Sequence, residues 1–226
     1  MSERILALIP AYNAARTLEP VVRETVARVE RVVVVDDGSA DGTADIAARA
    51  GATVLRHEQN RGKGGALKTG FAYAVAEGFD GVITLDADGQ HLPSELPAFI
   101  AARAETGADL IIGGRAHLFG EMLPRRRMAN RFSAWAIAKG SGTKITDSQS
   151  GFRYYAVPML RAMTLRSDGF DMESEVIVRA GIRGYRVINI PISLGFVDGL
   201  STSHFKPLQD TLRILKTAVL ARFVWR

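Results

Sequence analysis

Asp86-Ala87-Asp88-Gly89-Gln90-His91 stands directly after the apolar run Gly81-Val82-Ile83-Thr84-Leu85. Side chains alternate faces along an extended strand, so both carboxylates are expected to project to one side at its end. Two neighbouring carboxylates repel unless a cation or a proton lies between them. Oxygen-only ligands with open positions suit a hard divalent ion, Mg²⁺ or Mn²⁺, that still has sites for phosphate oxygens. The string points to a metal-held diphosphate, against the plainer reading of a solvated turn. A second acidic turn, Asp36-Asp37-Gly38-Ser39-Ala40-Asp41-Gly42-Thr43, follows Val32-Val33-Val34-Val35. Turn chemistry accounts for Gly38 and Gly42, and for Asp41 as a helix cap. It leaves the adjacent pair Asp36 and Asp37 unexplained.

Three further strings carry charge next to glycine or a helix start. Asn60-Arg61-Gly62-Lys63-Gly64-Gly65-Ala66-Leu67 opens a helix, where backbone amides and the dipole favour an anion, with Lys63 or Arg61 as the charge. No Ser or Thr follows a Gly-Lys pair as a Walker A loop requires, and Leu67 occupies the third glycine place of a dinucleotide fingerprint. Asp147-Ser148-Gln149-Ser150-Gly151-Phe152-Arg153 by itself reads as a surface turn. The acids of Phe170-Asp171-Met172-Glu173-Ser174-Glu175 are those a helix dipole favours in a first turn. The histidines form no metal set: His91 follows the acidic pair, His204 lies in a polar loop, and His57 and His117 look incidental.

The elements that must position these groups alternate. Strands are predicted at 5–9, 32–35, 53–56, 82–85 and 110–112, and helices at 18–29, 44–50, 66–77 and 94–105. The four-valine run reads as a strand buried on both faces, as in a parallel sheet. The order implies an α/β fold, a mostly parallel sheet with helices on both faces. Ligands of such sheets bind beyond the carboxyl ends of the strands, where both acidic pairs would lie. After residue 115 the rhythm changes to a basic helix at 125–139, a polar loop at 140–150, strands at 152–155 and 185–190, a helix at 173–180 and a last helix from about 208. Its apolar seam, Leu208, Leu212, Leu215, Val219 and Phe223, has the spacing of core packing, and with Trp225 and the nearby basic residues also fits an anionic membrane surface.

The chain has 226 residues, 47% of them hydrophobic and 23% charged, which suffices for one α/β domain spanning 1–226. It has no cysteine, so disulfides, thiolate metal sites and cysteine nucleophiles are excluded. No apolar run approaches the roughly 18 residues of a membrane span, and the start lacks the layout of a secretory signal. The net charge of +5 is concentrated in Arg125-Arg126-Arg127, Arg131 and the last segment, which can meet nucleic acid, anionic lipid or phosphate substrates. No interleaved aromatic pattern favours nucleic acid, and a cytoplasmic protein is expected.

Taken together, Ile9-Pro10-Ala11-Tyr12-Asn13, Val35-Asp36-Asp37-Gly38-Ser39, Asn60 to Gly64, Asp86 to His91, Gly113-Gly114-Arg115 and Ser150-Gly151-Phe152-Arg153 resemble, in order, the family 2 glycosyltransferases of GT-A fold. The group most similar is typified by dolichol-phosphate mannosyltransferase and bacterial polyprenyl-phosphate sugar transferases. The resemblance implies a nucleotide-sugar-binding half over about 1–115 and an acceptor-binding half over about 116–226. It implies that Pro10, Ala11 and Tyr12 line the nucleotide base, that Asp36 or Asp37 hydrogen-bonds it, and that Lys63 lies near the phosphates. Asp86 and Ala87 would meet the nucleotide, and Asp86, Asp88 and Gln90 would hold Mg²⁺ or Mn²⁺. Arg115, Arg131, Ser133, Arg153 and Lys206 are its candidates for donor or acceptor phosphates. The acid usual after Asn13 is replaced by Ala14-Ala15-Arg16.

The implied reaction is a single displacement with inversion, moving a sugar from a GDP- or UDP-sugar to a polyprenyl phosphate at the inner face of a membrane. An anionic lipid phosphate needs no strong base, whereas a hydroxyl acceptor requires a carboxylate, for which Asp147, Asp171 and Glu173 are candidates. A non-catalytic sugar-nucleotide-binding protein, a nucleotidyltransferase and a basic nucleic-acid-binding module are the rival classes.

Overall fold

The computed structural model describes residues 3–115, 124–195 and 207–225. Its strands are β1 (Ile5–Ala11), β2 (Arg31–Asp36), β3 (Thr53–Arg56), β4 (Gly81–Thr84), β5 (Leu110–Gly114), β6 (Arg153–Ala156) and β7 (Val187–Pro191). Its helices are α1 (Leu18–Val26), α2 (Thr43–Arg49), α3 (Lys63–Ala76), α4 (Leu96–Thr106), α5 (Pro124–Ser141), α6 (Val157–Arg161), α7 (Met172–Ile182) and α8 (Pro207–Phe223). The strands form one sheet in the order β3-β2-β1-β4-β6-β5-β7. All neighbours pair in parallel except β6, which runs antiparallel to both β4 and β5.

The valines of β2 and the apolar residues of β1 are buried, as strands covered on both faces require. Because β1, β2 and β4 run the same way, residues 10–13, 36–39 and 84–88 all emerge at one edge of the sheet. The acidic pair is not on an extended strand end as expected. β4 stops at Thr84, and the chain turns through Ala87 and Asp88 to Gly89 at φ 78°. Asp88 Oδ1 accepts the Gln90 backbone N–H at 3.0 Å, and this side-chain turn displaces the strand geometry.

Helices α5, α7 and α8 pack on one another as a layer beside the sheet. On α8 the inward stripe is Ile214, Thr217, Ala218 and Ala221, whereas Leu212, Val219 and Phe223 of the expected seam face outward. Small residues let α8 approach its neighbours closely, and the larger ones are left on the opposite side. Helix α5 repeats this pattern: Ser133, Ala134 and Ile137 are buried while Met128, Phe132 and Trp135 are exposed.

Arg153 ties the 148–150 loop and the start of α7 to the sheet. It is fully buried and donates from Nε to the Ser150 carbonyl (2.7 Å), from one terminal nitrogen to the Glu173 carbonyl (2.7 Å) and from the other to the Ser148 carbonyl (2.8 Å). Its removal takes one charged donor from each of three carbonyls of buried residues. Arg153→Leu is therefore expected to lower unfolding free energy by about 3 kcal/mol or more, and Arg153→Lys should recover little because an ammonium lacks the guanidinium fork. Urea denaturation of the two variants checks both statements.

Candidate functional site

A cavity of about 530 Å³ opens at the carboxyl ends of β1 and β4, lined by Pro10, Ala11, Tyr12, Asn13, Ala14, Thr17, Asp37, Asn60, Gly62, Lys63, Ala66, Asp86, Ala87, Asp88 and Phe170. The first wall is the turn after β1. Asn13 adopts φ 49°, and its side-chain oxygen accepts the Ala40 N–H at 3.0 Å. The Ala14 N–H donates to Thr43 Oγ1 (2.9 Å) and the Ala15 N–H to Asp41 Oδ2 (3.1 Å). The β2 turn thus holds the β1 turn, although no acid follows Asn13.

The second wall is the Gly62–Gly65 turn that opens α3. A Cβ on Gly62 would lie 2.6 Å from the Asp168 carbonyl oxygen, and one on Gly64 2.7 Å from its carbonyl carbon, so the two backbones meet only through glycine. The Gly65 N–H donates to the Asp168 carbonyl at 3.1 Å. Asp37 fixes the same turn from the other side, accepting the N–H of Arg61 and of Gly62, each at 2.8 Å.

Lys63 is the first residue of α3, and its ammonium lies between two acids, 2.7 Å from Asp86 Oδ1 and 3.2 Å from Glu173 Oε2. Burial alone would lower the lysine's pKa, but Asp86 and Glu173 outweigh it and raise it well above the ordinary value. Burial would likewise raise the Asp86 pKa, yet the Lys63 charge holds this carboxyl well below the usual range. Asp88 moves the other way: burial and then the Asp86 charge raise its pKa. The His91 imidazole, pushed down to about 4 mainly by burial, is neutral at pH 7 and accepts the Asp86 backbone N–H on Nδ1 at 3.0 Å. Its 3.6 Å approach to the Asp86 carboxylate is therefore not an ion pair.

Asp86 and Asp88 line the cavity, whereas Gln90, on the same turn, is not among its lining residues. A cation there would relieve the repulsion that, after burial, raises the Asp88 pKa. Among the described residues no group of three or more His, Cys, Asp and Glu side chains forms a cage. The donor set fits Mg²⁺ or Mn²⁺ that takes its remaining ligands from phosphate oxygens and water.

The structure brings Pro10, Ala11, Tyr12, Asp37, Lys63, Asp86, Ala87 and Asp88 to one cavity. It does not bring Asp36, which is buried behind the β2 turn, accepts the Ser39 N–H at 3.0 Å and faces Arg56 at 3.2 Å. Arg153 is a buried loop tie. Arg131 is exposed on α5, and Ser133 is buried against Ser148. Arg115 is held at the rim by Asp147, Nε to Oδ2 at 2.7 Å, and is close enough to lower the Asp86 pKa. Lys206, His117 and His204 lie outside the described residues.

Sequence reasoning missed Thr17, whose hydroxyl donates to the Ala87 carbonyl at 2.8 Å and fixes the acidic turn. It missed Phe170 as a cavity wall, and read Glu173 as a dipole-favoured acid and a candidate base where it is half of the Lys63 cradle. His57, which looked incidental, is buried against Asp37 with Nδ1 2.6 Å from Oδ1. These relations join residues far apart in the chain, and no local spacing announces them.

The ligands of open α/β sheets bind beyond the carboxyl ends of the strands, and the cavity at that edge has an acidic turn facing a glycine-bounded lysine. Residues 7–165 match the family model described as Glycosyl transferase family 2, and the chain belongs to that family. It is 34% identical over 210 residues to undecaprenyl-phosphate mannosyltransferase of Micrococcus luteus, covering 84% of this chain and 83% of that one. It is 31% identical over 210 residues to polyprenol monophosphomannose synthase of Mycolicibacterium smegmatis, covering 85% and 77%. Glucosyl-3-phosphoglycerate synthase of Mycobacterium tuberculosis, in complex with Mn²⁺, UDP and phosphoglyceric acid, matches with TM-score 0.71 at 20% identity over 97% of this chain and 78% of that one. The fold is GT-A, and the chain is an enzyme, a hexosyltransferase of family 2.

Lys63→Met removes the charge that balances Asp86 and Glu173. With Asp86 30% exposed and so partly screened, the expected loss of stability is about 2 kcal/mol. Adding Glu173→Gln should return part of it. Denaturation of the single and double variants measures the coupling.

Proposed function

We propose that this chain moves a sugar, with inversion, from a GDP- or UDP-sugar to a polyprenyl phosphate in a reaction that depends on Mg²⁺ or Mn²⁺. The observation that carries the reading is the cavity in which Asp86 and Asp88 face Lys63 and the start of α3. Donor binding is assigned to residues 1–115 and acceptor binding to residues 116–226 of one domain. Pro10, Ala11 and Tyr12 serve the base, and Asp37 rather than Asp36 is the acid at its edge. Asp86, Asp88 and Gln90 would hold the metal, which when bound supplies positive charge against the departing diphosphate. Lys63, at the N-terminus of α3, adds fixed positive charge on the opposite side. Phe170 closes the cavity below it.

The state of the three candidate bases supports an acceptor that arrives anionic. Asp147 is fully buried and carries Arg115 on both oxygens, and burial's upward push on its pKa is overcome by that guanidinium. Asp171 accepts the Thr217 hydroxyl at 2.7 Å away from the cavity, and Glu173 is matched by Lys63. A hydroxyl acceptor would need one of them free; an acceptor that arrives anionic needs none. The two relatives described above carry the same acceptor class in their names.

Exposed apolar and basic side chains on α5 and α8 support a lipid acceptor. Trp135 and Phe223 are 58% and 67% exposed, and Phe132 stacks on Trp135 at 5.9 Å. Arg131, Arg213, Lys216 and Arg222 are exposed on the same two helices. Among the described residues no helix is long and apolar enough to cross a membrane. We assign this face to peripheral contact with the inner leaflet.

Incubation with a panel of GDP- and UDP-sugars, short polyprenyl phosphates and Mg²⁺ or Mn²⁺ is expected to give glycolipid, and Asp88→Ala to abolish it in a folded protein. Donor hydrolysis without glycolipid would overturn the acceptor assignment, and undiminished turnover by Asp88→Ala would overturn the metal assignment. Replacing Phe132 and Trp135 by Glu is expected to release the protein from phosphatidylglycerol-containing vesicles in a flotation assay; retained binding contradicts the membrane face.

A further inference from the structure

Asp37 lines the donor cavity, yet its carboxylate is already occupied on the side away from it. Oδ1 faces His57 Nδ1 at 2.6 Å and accepts the Arg61 N–H at 2.8 Å, while Oδ2 accepts the Gly62 N–H at 2.8 Å. His57 and Asp37 are 6% and 3% exposed, so water cannot replace these bonds. An ionised carboxylate only accepts, so the imidazole proton at this contact belongs to Nδ1. The far nitrogen, Nε2, is 2.9 Å from Thr69 Oγ1, and that hydroxyl also lies 3.2 Å from the Gly65 carbonyl. The His57 backbone N–H donates to the Asp36 carbonyl at 2.9 Å, anchoring the ring to β2. One imidazole thereby connects the acid at the end of β2 with the second turn of α3, and spans the glycine turn that delivers Lys63.

We infer that His57 is a positioning residue of the donor site, acting through Asp37. The inference rests on the nucleotide-sugar reading of the cavity. The Nδ1–H bond fixes the Asp37 carboxylate in the rotamer that holds the Arg61 and Gly62 amides. Those amides set the backbone from which the Lys63 ammonium reaches Asp86. Loss of the bond frees the carboxylate to turn, and the diphosphate end of the site loses its alignment while the sheet stays intact.

Two substitutions of similar size separate this role from simple packing. The amide nitrogen of His57→Asn falls near Nδ1 and keeps the donor to Asp37; that of His57→Gln falls near Nε2 and keeps only the contact with Thr69. Titration calorimetry with UDP and GDP in Mg²⁺ or Mn²⁺ is read on the unaltered chain and both variants, with circular dichroism as the folding control. His57→Asn is expected to bind within about twofold of the unaltered chain, and His57→Gln about tenfold more weakly, the loss of one charge-assisted bond. Equal affinities for the two variants, or the reverse order, overturn the inference. No binding of either nucleotide by the unaltered chain removes the donor reading, and with it this inference. Imidazole ¹⁵N resonances of the unaltered chain give an independent check that needs no variant. A protonated Nδ1 at pH 7 is expected, and a bare Nδ1 overturns the inference.

Discussion

The Lys63 ammonium between Asp86 and Glu173 is the contact on which the rest of the site depends. One positive charge balances acids from two halves of the chain, the turn after β4 and the start of α7. Neither acid is tolerated easily in that partly dry space alone, since desolvation penalises each unpaired charge. The pairing also fixes where the lysine must start, as the first residue of α3, and hence why glycines surround it. Only glycine lets this turn lie against the Asp168 backbone closely enough for the side chain to reach both acids.

From Asp168 the constraint runs outward. Glu175 accepts the backbone N–H of Arg166 and of Ser167 and pairs with Arg179 at 2.8 Å, so the start of α7 holds the 166–171 segment in place. Trp225 lies against Arg166 and Arg179, with ring-centroid distances of 5.8 and 5.9 Å. Thr217 reaches Asp171 from α8. The helix that presents Phe223 outward is thus bound, within a few contacts, to the segment whose Phe170 lines the cavity. The exposed side of α8 and the cavity are parts of one packed unit, as the proposed transfer from a water-soluble donor to a membrane-held acceptor would require.

Much of this was legible in the sequence because its determinants are local. The valine run of β2, the acidic turns and the glycine turn each carry their signal in consecutive residues, and both acidic turns do lie at the carboxyl edge of the sheet. What escaped depends on contacts between distant segments. The apolar seam of α8 has helical spacing, but spacing does not say which side the protein occupies; the buried stripe is Ile214, Thr217, Ala218 and Ala221, mostly smaller residues than those left outside. Helix α6, with Pro158 at its start, is too short to show a period. Asp36 and Asp37 are neighbours of identical type, and only the strand's pleat decides that one faces the cavity and the other Arg56. Arg153 and Glu173 were read by their charges, whereas burial gives one a scaffold role and the other a partner.

Nucleoside diphosphate binding measured by calorimetry with and without Mg²⁺ or Mn²⁺ tests the account most directly, because it isolates the cation-held diphosphate from acceptor and membrane. Binding of UDP or GDP is expected to tighten strongly when the ion is present, and this gain to vanish when Asp86 and Asp88 are both replaced by Asn. Equal affinity with and without the ion, or a gain that survives the double replacement, would contradict it.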